Sequence, residues 1–322
     1  MEIIGNPTQF EIKKAARALM DGHLVGFPTE TVYGLGADAR NIDAVRQIYK
    51  IKGRPSNHPL IVHISSIKQL DHLTIEIPEY ARKLALDFWP GPLTLILKRS
   101  NLINDQVTGG QNTVGIRMPA HPIALGLLSN FEKIGGIGVA APSANKFGAV
   151  SPTTVSAVLD EIGAELRPND MIIDGGQCSL GIESTILNCT ENLPIILRPG
   201  IVTTELIQNS IGNKLRNKTS GDKIHFSGSF RYHYSPRAVV VIGHSAGVGD
   251  GFIAMSNIKT PRGAIRLGAP DSIENFARDL YLFLRLADKL QVKKIFVSPP
   301  KGSGIALAVS DRIFKAAGQK NL

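Results

Sequence analysis

Three cationic side chains, Lys50, Lys52 and Arg54, stand at alternate positions just before an apolar run over residues 60–64. A glycine and prolines in this stretch break regular structure, and the apolar run predicts a buried strand, so we expect a loop positioned by the fold. Arginine offers a planar fork of donors and lysine a mobile point charge, which together suit a polyphosphate or several anions. A solvated basic loop is the better interpretation of such a pattern alone, so the binding hypothesis needs partners elsewhere in the chain.

A second polar stretch, residues 28–36, follows a predicted strand over 23–27 and contains hydroxyls, a carboxylate and two glycines. Ligand-binding loops of α/β proteins occupy this position. Thr29 and Thr31 are therefore candidates to bind a small polar ligand. The alternative is a plain turn in which the hydroxyls bond to nearby backbone groups.

Two isolated arginines lie at the ends of short predicted strands, Arg117 after 113–116 and Arg198 after 195–197. An arginine in an apolar setting needs a counter-charge, because burying it unpaired is costly. For Arg117 the sequence leaves open whether that charge is a protein carboxylate or a substrate carboxylate. Ser143 and Asn145 follow a small-residue strand over 136–141, where they are either ligand contacts or ordinary turn residues.

Two stretches match known motifs only formally. Gly136-x-Gly138-x-x-Ala141 has the spacing of a dinucleotide fingerprint, but it falls inside a predicted strand and no helix follows. Gly243-His-Ser-Ala-Gly247 has the spacing of a serine-hydrolase elbow, but the glycine-rich residues after it begin a helix poorly. We therefore assign Ser245 to a loop and keep a hydrolase as a remote alternative.

Helices and strands alternate along the chain, which favours an α/β layered fold. Helices are predicted over about 8–21, 42–51, 78–88, 151–159, 272–290 and 304–317, and residues 89–92 are assigned a structural turn. We expect a first domain over 1–213, a linker over 214–237 and a small second domain over 238–322 with strands at 238–242, 252–255 and 294–297. The linker is polar apart from an aromatic segment over 231–236, which suggests that it docks against another part of the chain.

Composition limits the class of protein. The chain has 322 residues, 43% of them hydrophobic, and a formal net charge of +9. The charge indicates nucleotides or nucleic acid as ligands, or merely a basic surface. No apolar run approaches the ~18 residues of a membrane helix, no signal-peptide pattern begins the chain, and Cys178 and Cys189 lack metal-type spacing. These features predict a cytoplasmic protein with reduced thiols and no membrane association.

Taken together, the motifs resemble those of the YrdC-like family, in its long two-domain form of L-threonylcarbamoyl-adenylate synthase. The resemblance covers essentially the whole chain. It rests on residues 28–36, the Lys50-x-Lys-x-Arg54 pattern, Asn57-x-Pro-Leu60, Ser143-x-Asn145 and His233-Tyr-Ser-Pro236. The family fold is a twisted α/β sheet around a large basic cavity, followed by a smaller Rossmann-like domain.

The resemblance implies synthesis of threonylcarbamoyl-AMP and pyrophosphate from L-threonine, bicarbonate and ATP, for threonylcarbamoyladenosine modification of tRNA. It implies Mg²⁺ accompanying ATP, no metal held by protein side chains, and hand-off to a tRNA threonylcarbamoyl transferase complex. The implied phosphate-facing catalytic residues are Lys50, Lys52 and Arg54. The implied ATP contacts are Arg54, His58, Thr113, Ser143, Asn145, Ser151, Arg198 and Tyr234. The implied threonine contacts are Thr31, His63, Arg117, Ala141 and Ser184.

The linker departs from the family pattern, since Gly228-Ser-Phe-Arg stands where a run led by Pro-Gly is expected. We expect residues 228–236 to fold over the cavity, with Tyr234 nearest the ligands; a static staple between the domains is the alternative. Two other classes stay open, a module that binds RNA without catalysis and the serine hydrolase. The isolated arginines at strand ends favour an enclosed anion over a flat RNA surface.

Overall fold

The computed structural model describes residues 1–217, 219, 224–226, 228 and 233–318. Its strands are β1 (Glu2–Gly5), β2 (Val25–Phe27), β3 (Gly34–Asp38), β4 (Ile61–His63), β5 (Thr74–Ile75), β6 (Leu93–Arg99), β7 (Thr113–Arg117), β8 (Val139–Ala140), β9 (Met171–Asp174), β10 (Thr185–Asn188), β11 (Ile195–Arg198), β12 (Val239–Ile242), β13 (Gly251–Ile253), β14 (Ile265–Gly268) and β15 (Lys294–Val297). Its helices are α1 (Gln9–Met20), α2 (Ile42–Lys52), α3 (Leu70–Leu73), α4 (Glu79–Phe88), α5 (Asp105–Thr108), α6 (Pro122–Lys133), α7 (Val155–Ile162), α8 (Thr204–Ile211), α9 (Ile273–Lys289) and α10 (Ile305–Ala316).

These elements form two sheets, as an α/β fold requires. The first is mixed, with strand order β1-β9-β2-β3-β8-β4-β7-β6-β10-β11 and β5 paired to β6. The second has the order β12-β15-β13-β14, and each of its pairs is parallel. We call residues 1–213 the first unit and residues 238–318 the second unit.

The two units pack against each other through a shared apolar cluster. The second unit buries one face of α9, including Phe276, Leu280 and Leu284, against its sheet, and Val32 and Ile182 of the first unit belong to the same cluster. Burial of such side chains is worth roughly 1.5–3 kcal/mol each. The two units therefore share one apolar core at their interface.

The helix before the cationic pattern runs further than the sequence predicted. α2 begins at the N-cap Asn41 and includes Lys50 and Lys52 in its last turn; Gly53, with φ of 62°, ends it. The helix ends one residue after the predicted 42–51, so the expected loop position is wrong for Lys52, and Arg54 lies beyond the helix. Cations favour the C-terminal turn of a helix because its carbonyls carry partial negative charge.

A strand replaces part of a predicted loop. Gly34 and Gly36 lie in β3, and a Cβ on Gly36 would be 2.7 Å from Cγ1 of Val139 and 2.9 Å from Cε1 of Phe27. Gly36 is thus needed for close packing of neighbouring strands, a role that the sequence did not reveal because glycine is more often associated with turns.

The helix predicted at Ser151 begins four residues later. Thr154 is the N-cap of α7, and residues 151–153 are irregular and buried. The carbonyl of Pro152 accepts from the amide of Tyr33 at 2.9 Å, so a tertiary contact overrides the local preference of Ser-Pro-Thr for a helix start. The sequence also did not predict β1, β14, α6 or α8.

The described part of the linker contacts both units, and Ser235 donates from its hydroxyl to the carbonyl of Ala316 in the second. Phe226 packs in an apolar cluster with Ile96 and Ile186, and Ser235 forms an isolated bridge with Ala149. Tyr234 is completely buried. Arg231, Phe230 and Tyr232 of the aromatic segment fall outside the described residues.

None of the helices in the described residues combines the length and apolar character needed to cross a membrane.

Candidate active site

One edge of the first sheet collects the ends of several strands. β7 and β11 run in one direction and β10 in the opposite one, so Arg117, Ser184 and Arg198 meet at that edge. A cavity with an empty volume of about 460 Å³ opens there. Its lining is Thr29, Thr31, Val32, Gly34, Ile61, His63, Arg117, Ala141, Pro142, Ser143, Glu183, Ser184, Arg198, His233 and Tyr234.

The five residues that the resemblance implied for threonine all line this cavity. Thr31 follows β2, His63 ends β4 beside Arg117 in the register of the sheet, Ala141 follows β8, and Ser184 precedes β10. Of the implied ATP contacts, Ser143, Arg198 and Tyr234 also line it. The structure thus brings eight of the implied residues into one space.

Arg117 has a protein carboxylate as its counter-charge. Its Nη2 lies 2.6 Å from Oε1 of Glu30, and its Nη1 donates to Oγ1 of Thr31 at 2.9 Å. Glu30 also accepts from the amide of Ala120 at 3.1 Å. Because the pair is buried, it fixes the orientation of the guanidinium and leaves its charge largely balanced. Of the two counter-charges that the sequence left open, the protein carboxylate is present, and a substrate carboxylate stays a prediction.

Thr29 forms the local turn, and Thr31 lies where it could bind a ligand, so each of the two interpretations of this stretch fits one of the threonines. Oγ1 of Thr29 accepts from the amides of Thr31 and Val32 and donates to the carbonyl of Val32, which is a local turn. Oγ1 of Thr31 reaches Arg117 and lines the cavity. The turn is therefore what aims Thr31 into the site.

Lys52 and Arg54 are buried cations of a different kind. Lys52 is 2% exposed, and its ammonium donates to the carbonyls of Ser143, at 2.6 Å, and Asn145. Arg54 is 7% exposed and donates to the carbonyls of His58, at 3.2 Å, and Pro59, at 2.9 Å. Among the described residues neither forms an ion pair with a carboxylate. Their charges are left available to an anion.

Burial acts on the acidity of both groups. It lowers the pKa of Lys52 well below its ordinary value, with Arg54 adding to the effect, and it lowers the pKa of Arg54 to about 10. A bound polyanion would reverse this cost by favouring the charged forms. The interpretation as a solvated basic loop is wrong for Arg54, because its side chain lies inside the protein.

Seven implied residues are not part of the cavity lining: Lys52 and Arg54, described above, Asn145 and Ser151, described below, and Lys50, His58 and Thr113. Lys50 is exposed on α2. His58 is buried, with its ring 5.9 Å from that of Phe147. Thr113 lies in an adjoining pocket with Gln111, His225 and Phe226, separated from the cavity by Ile61, which lines both.

Asn145 and Ser151 hold the surrounding loops. The side-chain nitrogen Nδ2 of Asn145 donates to the carbonyls of Lys146 and Ala149, each at 2.8 Å. Oγ of Ser151 donates to Oε1 of Glu183 at 2.6 Å. Both residues therefore build the site, whatever further contact they make with a ligand.

Several buried polar atoms at the site have no hydrogen-bond partner within the described part of the chain. They are Nδ1 of His63, Nδ1 of His233, Oδ1 of Asn145 and the hydroxyl of Tyr234. Such atoms are rare in folded proteins, because leaving one unsatisfied costs about 1–3 kcal/mol. Their concentration here indicates a polar ligand.

The two histidines are held neutral. Burial, followed by the charge of Arg117, lowers the pKa of His63 to about 3. Burial also lowers the pKa of His233 to about 3, with Arg54, Lys315 and Lys52 acting in the same direction and Glu183 against them. A neutral imidazole adds no further positive charge to the site and offers an acceptor nitrogen.

Sequence reasoning missed several residues of the site. Glu30 was seen only as part of its polar stretch, and Glu183 was not singled out although it precedes Ser184. Tyr281 and Arg312, from α9 and α10, both bond to Glu183. Nothing local in the sequence of these two helices distinguishes them from ordinary core and surface positions.

The two rejected motifs form no site. Residues 243–247 are an irregular loop with no helix directly after them, and Ser245 is exposed. β8 covers only Val139–Ala140 of the formal dinucleotide fingerprint. Within the described residues no group of three or more His, Cys, Asp or Glu side chains could hold a metal ion.

Comparison with known proteins agrees with this geometry. A family model for Sua5, YciO and YrdC, described as "Telomere recombination", matches residues 17–200, and one described as "Threonylcarbamoyl-AMP synthase, C-terminal domain" matches residues 202–318. The chain is 38% identical to a threonylcarbamoyl-AMP synthase of Pyrococcus abyssi, over 97% of this chain and 95% of the relative. It is 39% identical to that of Bacillus subtilis, over 96% and 93%. The structure of P. abyssi Sua5 complexed with L-threonine superposes with a TM-score of 0.89 at 37% identity, covering 99% of this chain and 98% of that one.

Proposed function

The chain belongs to the Sua5/YciO/YrdC family in its long two-domain form, and we propose that it makes threonylcarbamoyl-AMP and pyrophosphate from L-threonine, bicarbonate and ATP. It is an enzyme of the nucleotidyltransferase class, as its relatives named threonylcarbamoyl-AMP synthase are. The observation that carries the substrate assignment is the pair of buried cations Lys52 and Arg54, which have no carboxylate partner within the described residues and lie beside a cavity whose Arg117 is already balanced by Glu30.

The reaction joins two anions, so it depends on positioning and charge neutralisation. The amine of threonine attacks the carbon of bicarbonate, a C–N bond forms and water leaves, giving a carbamate. A carbamate oxygen then attacks the α-phosphorus of ATP, and the bond to the β-phosphate breaks to release pyrophosphate. No protein nucleophile is needed for either step.

Each end of the cavity suits one substrate. Arg117, oriented by Glu30, presents donors for the carboxylate of threonine, and Ser184 and the neutral His63 supply polar contacts beside it. Lys52, Arg54 and Arg198 supply positive charge for the phosphates. Mg²⁺ is proposed to arrive with ATP as part of the substrate, since the described side chains offer no acidic cluster to hold it.

The linker is proposed to close the site. Tyr234 and His233 line the cavity, and a Cβ added to Gly228 would lie 2.7 Å from the hydroxyl of Tyr234, so the segment contacts the site directly. Excluding water would protect the carbamate and the mixed anhydride from hydrolysis. Hydrogen exchange at residues 233–236 is expected to slow when ATP and threonine are added; equally slow exchange in both states would support a static staple.

Delivery of the product completes the proposal. A threonylcarbamoyl-adenylate is labile in water, which favours rapid hand-off in the cytoplasm to a tRNA threonylcarbamoyl transferase complex. Weak RNA binding by exposed lysines is compatible with the +9 charge. The site itself is unsuited to a flat RNA surface, because Arg54, Arg117 and Arg198 are all buried.

A pyrophosphate-release assay with purified full-length protein tests the function. Release from ATP is expected only when both threonine and bicarbonate are present, and mass spectrometry should detect threonylcarbamoyl-AMP. Ser245→Ala is the matched control and should retain full activity. A fluorophosphonate probe, which labels serine hydrolases, should not label the wild type. Equal release without threonine would refute the assigned reaction.

A further inference from the structure

A buried ion pair joins the second unit to the wall of the cavity. Arg312 of α10 is completely buried, and its Nε donates to Oε2 of Glu183 at 2.9 Å while its Nη2 donates to the backbone carbonyl of Glu183 at 3.3 Å. The hydroxyl of Tyr281, on α9, donates to the same Oε2 at 2.9 Å. Two helices of the second unit thus bond to one cavity-lining residue of the first.

Glu183 is held as an anion by these donors. Its burial would raise the pKa of its carboxyl, but the charges of Arg312 and Arg198, with the hydrogen bonds from Ser151 and Arg312, outweigh burial and lower the pKa to about 2. Glu183 is therefore a weak base, and its two oxygens already accept hydrogen bonds from three donors. It is unsuited to accept a proton from substrate. Its role is to place its neighbour Ser184, which contacts Arg198 at 3.1 Å and Thr94 at 2.8 Å.

The same two helices support Tyr234. The guanidinium carbon of Arg312 is 5.4 Å from the centre of the Tyr234 ring, and the Tyr281 ring stacks on it at 5.6 Å. Tyr234 has a φ of 61°, a conformation that a bulky residue rarely adopts and that persists only where its surroundings hold it. Its hydroxyl lines the cavity without a partner among the described groups.

The backbones of the two units also approach closely at this point. A Cβ on Gly181, whose φ is 73°, would lie 2.1 Å from the carbonyl oxygen of Arg278 on α9. Only glycine permits this contact. The loop that carries Glu183 and Ser184 therefore rests directly on the second unit.

We infer that the second unit is a structural part of the active site and that Arg312 is a positioning residue, which sets Glu183, and through it Ser184, together with Tyr234. The inference rests on the proposed function. An arginine is required because one planar fork bonds the carboxylate and the carbonyl of Glu183 while its face covers the Tyr234 ring; a lysine can make only one of these contacts well.

The test uses full-length Arg312→Lys, which keeps the charge and loses the fork. Hydrogen exchange is measured without substrates at two amides, Thr185, which donates to Pro92, and Ser235, which donates to Gly148. We expect exchange at both to be at least tenfold faster than in the wild type. Misplacement of a substrate-binding wall by about 1 Å can cost 10²-fold in rate, so we also expect kcat/KM for pyrophosphate release to fall by about tenfold or more.

Arg285→Lys is the matched control. Arg285, on α9, also pairs across the two units, with Glu161 at 3.1 Å, and neither residue lines the cavity. We expect it to change kcat/KM less than twofold and to leave exchange at Thr185 unchanged. The comparison uses Thr185 alone, because Arg285 also donates to the carbonyl of Val150, close to the Gly148 that bonds to Ser235. If Arg312→Lys resembles Arg285→Lys in its exchange, the inference is overturned whatever the activities are.

Failure of the proposed function and misfolding of the variant can each be distinguished from failure of the inference. If the wild type makes no threonylcarbamoyl-AMP, the proposed function fails, while the exchange comparison still decides the role of Arg312. If Arg312→Lys shows no cooperative unfolding, Tyr281→Phe replaces it, because it keeps the ring stack and removes one bond to Glu183. About threefold faster exchange at Thr185 in Tyr281→Phe supports the inference, and unchanged exchange overturns it.

Discussion

The buried cations of this site fall into two groups that differ in their partners. Arg117 bonds to the buried carboxylate of Glu30, and Arg312 bonds to those of Glu183 and its neighbour Asp311. Lys52 and Arg54 are equally buried but bond to backbone carbonyls only, within the described residues. A paired cation is fixed in position with most of its charge balanced, whereas an unpaired one is costly until an anion arrives.

The difference predicts a division of labour. The paired cations define the geometry of the cavity and should matter for folding, and Arg117 should also matter for threonine binding. The unpaired cations store the charge that ATP needs and should matter for activity with little benefit to stability. Variants that remove one cation at a time test this division.

The largest effect is expected for Arg54→Met. Removing a charged donor from a developing polyphosphate contact costs typically 10²–10³-fold in rate, so we expect at least a 100-fold loss of pyrophosphate release. Two hydrogen bonds to carbonyls are lost, but a buried charge is also removed, so unfolding free energy should change by no more than about 1–2 kcal/mol. Arg46→Met is the control: it removes an exposed cation, paired with Asp43, from α2, the helix that precedes Arg54, and it should be fully active. A melting temperature that collapses in Arg54→Met would contradict the division.

The next effect is on stability, in Arg117→Met. This change leaves Glu30 buried and unpaired, which costs about 3–5 kcal/mol. The double variant Arg117→Met/Glu30→Gln should recover most of that stability without recovering threonine binding. Denaturant unfolding measures the first result and calorimetry the second. Full threonine affinity in the double variant would remove Arg117 from the threonine site.

The neutral histidines beside these cations make the stability of the folded protein depend on pH. The folded pKa of His233 is about 3, below the ~6.5 of an unfolded histidine. The unfolded chain therefore binds more protons between these values, and stability falls as the pH drops below about 6.5, by up to ~1.4 kcal/mol per pH unit for each such group. His233→Gln should reduce this slope between pH 6.5 and 4.5 in urea unfolding. An unchanged slope would mean that His233 is charged in the folded protein.

The smallest effect is expected for Thr113→Val, in the pocket adjoining the cavity. Loss of one neutral hydrogen bond to the nucleotide would weaken ATP binding by about 0.5–1.5 kcal/mol, up to roughly tenfold. Threonine affinity should stay the same. A change in threonine affinity instead would place Thr113 at the wrong end of the site.

The sequence predicted those parts of the site that local chemistry determines. Arg117 and Arg198 were recognised as strand-end cations and Thr31 as a ligand-facing hydroxyl, and α9 begins after Ser272 as its capping residue predicts. The long-form family and its reaction were also identified from the motifs. Local patterns suffice where a residue type is unusual for its own element.

Other features depended on contacts distant in sequence. Ser151 lies outside a helix and bonds to Glu183, where a helix start was expected. Position 36 of β3 is a glycine because Val139 and Phe27 occupy the space that a side chain would need. Arg312 is 129 residues from Glu183. No local propensity encodes such a distance, so these residues could be identified only in the folded structure.

Calorimetric titration of ATP and of threonine into three proteins tests the division of labour most directly. The proteins are the wild type, Arg54→Met and the stability-compensated Arg117→Met/Glu30→Gln. The account predicts that ATP affinity falls at least tenfold only in Arg54→Met, and that threonine affinity falls at least tenfold only in the double variant. Equal losses of both ligands in both variants would contradict it, because the two kinds of buried cation would then serve the site in the same way.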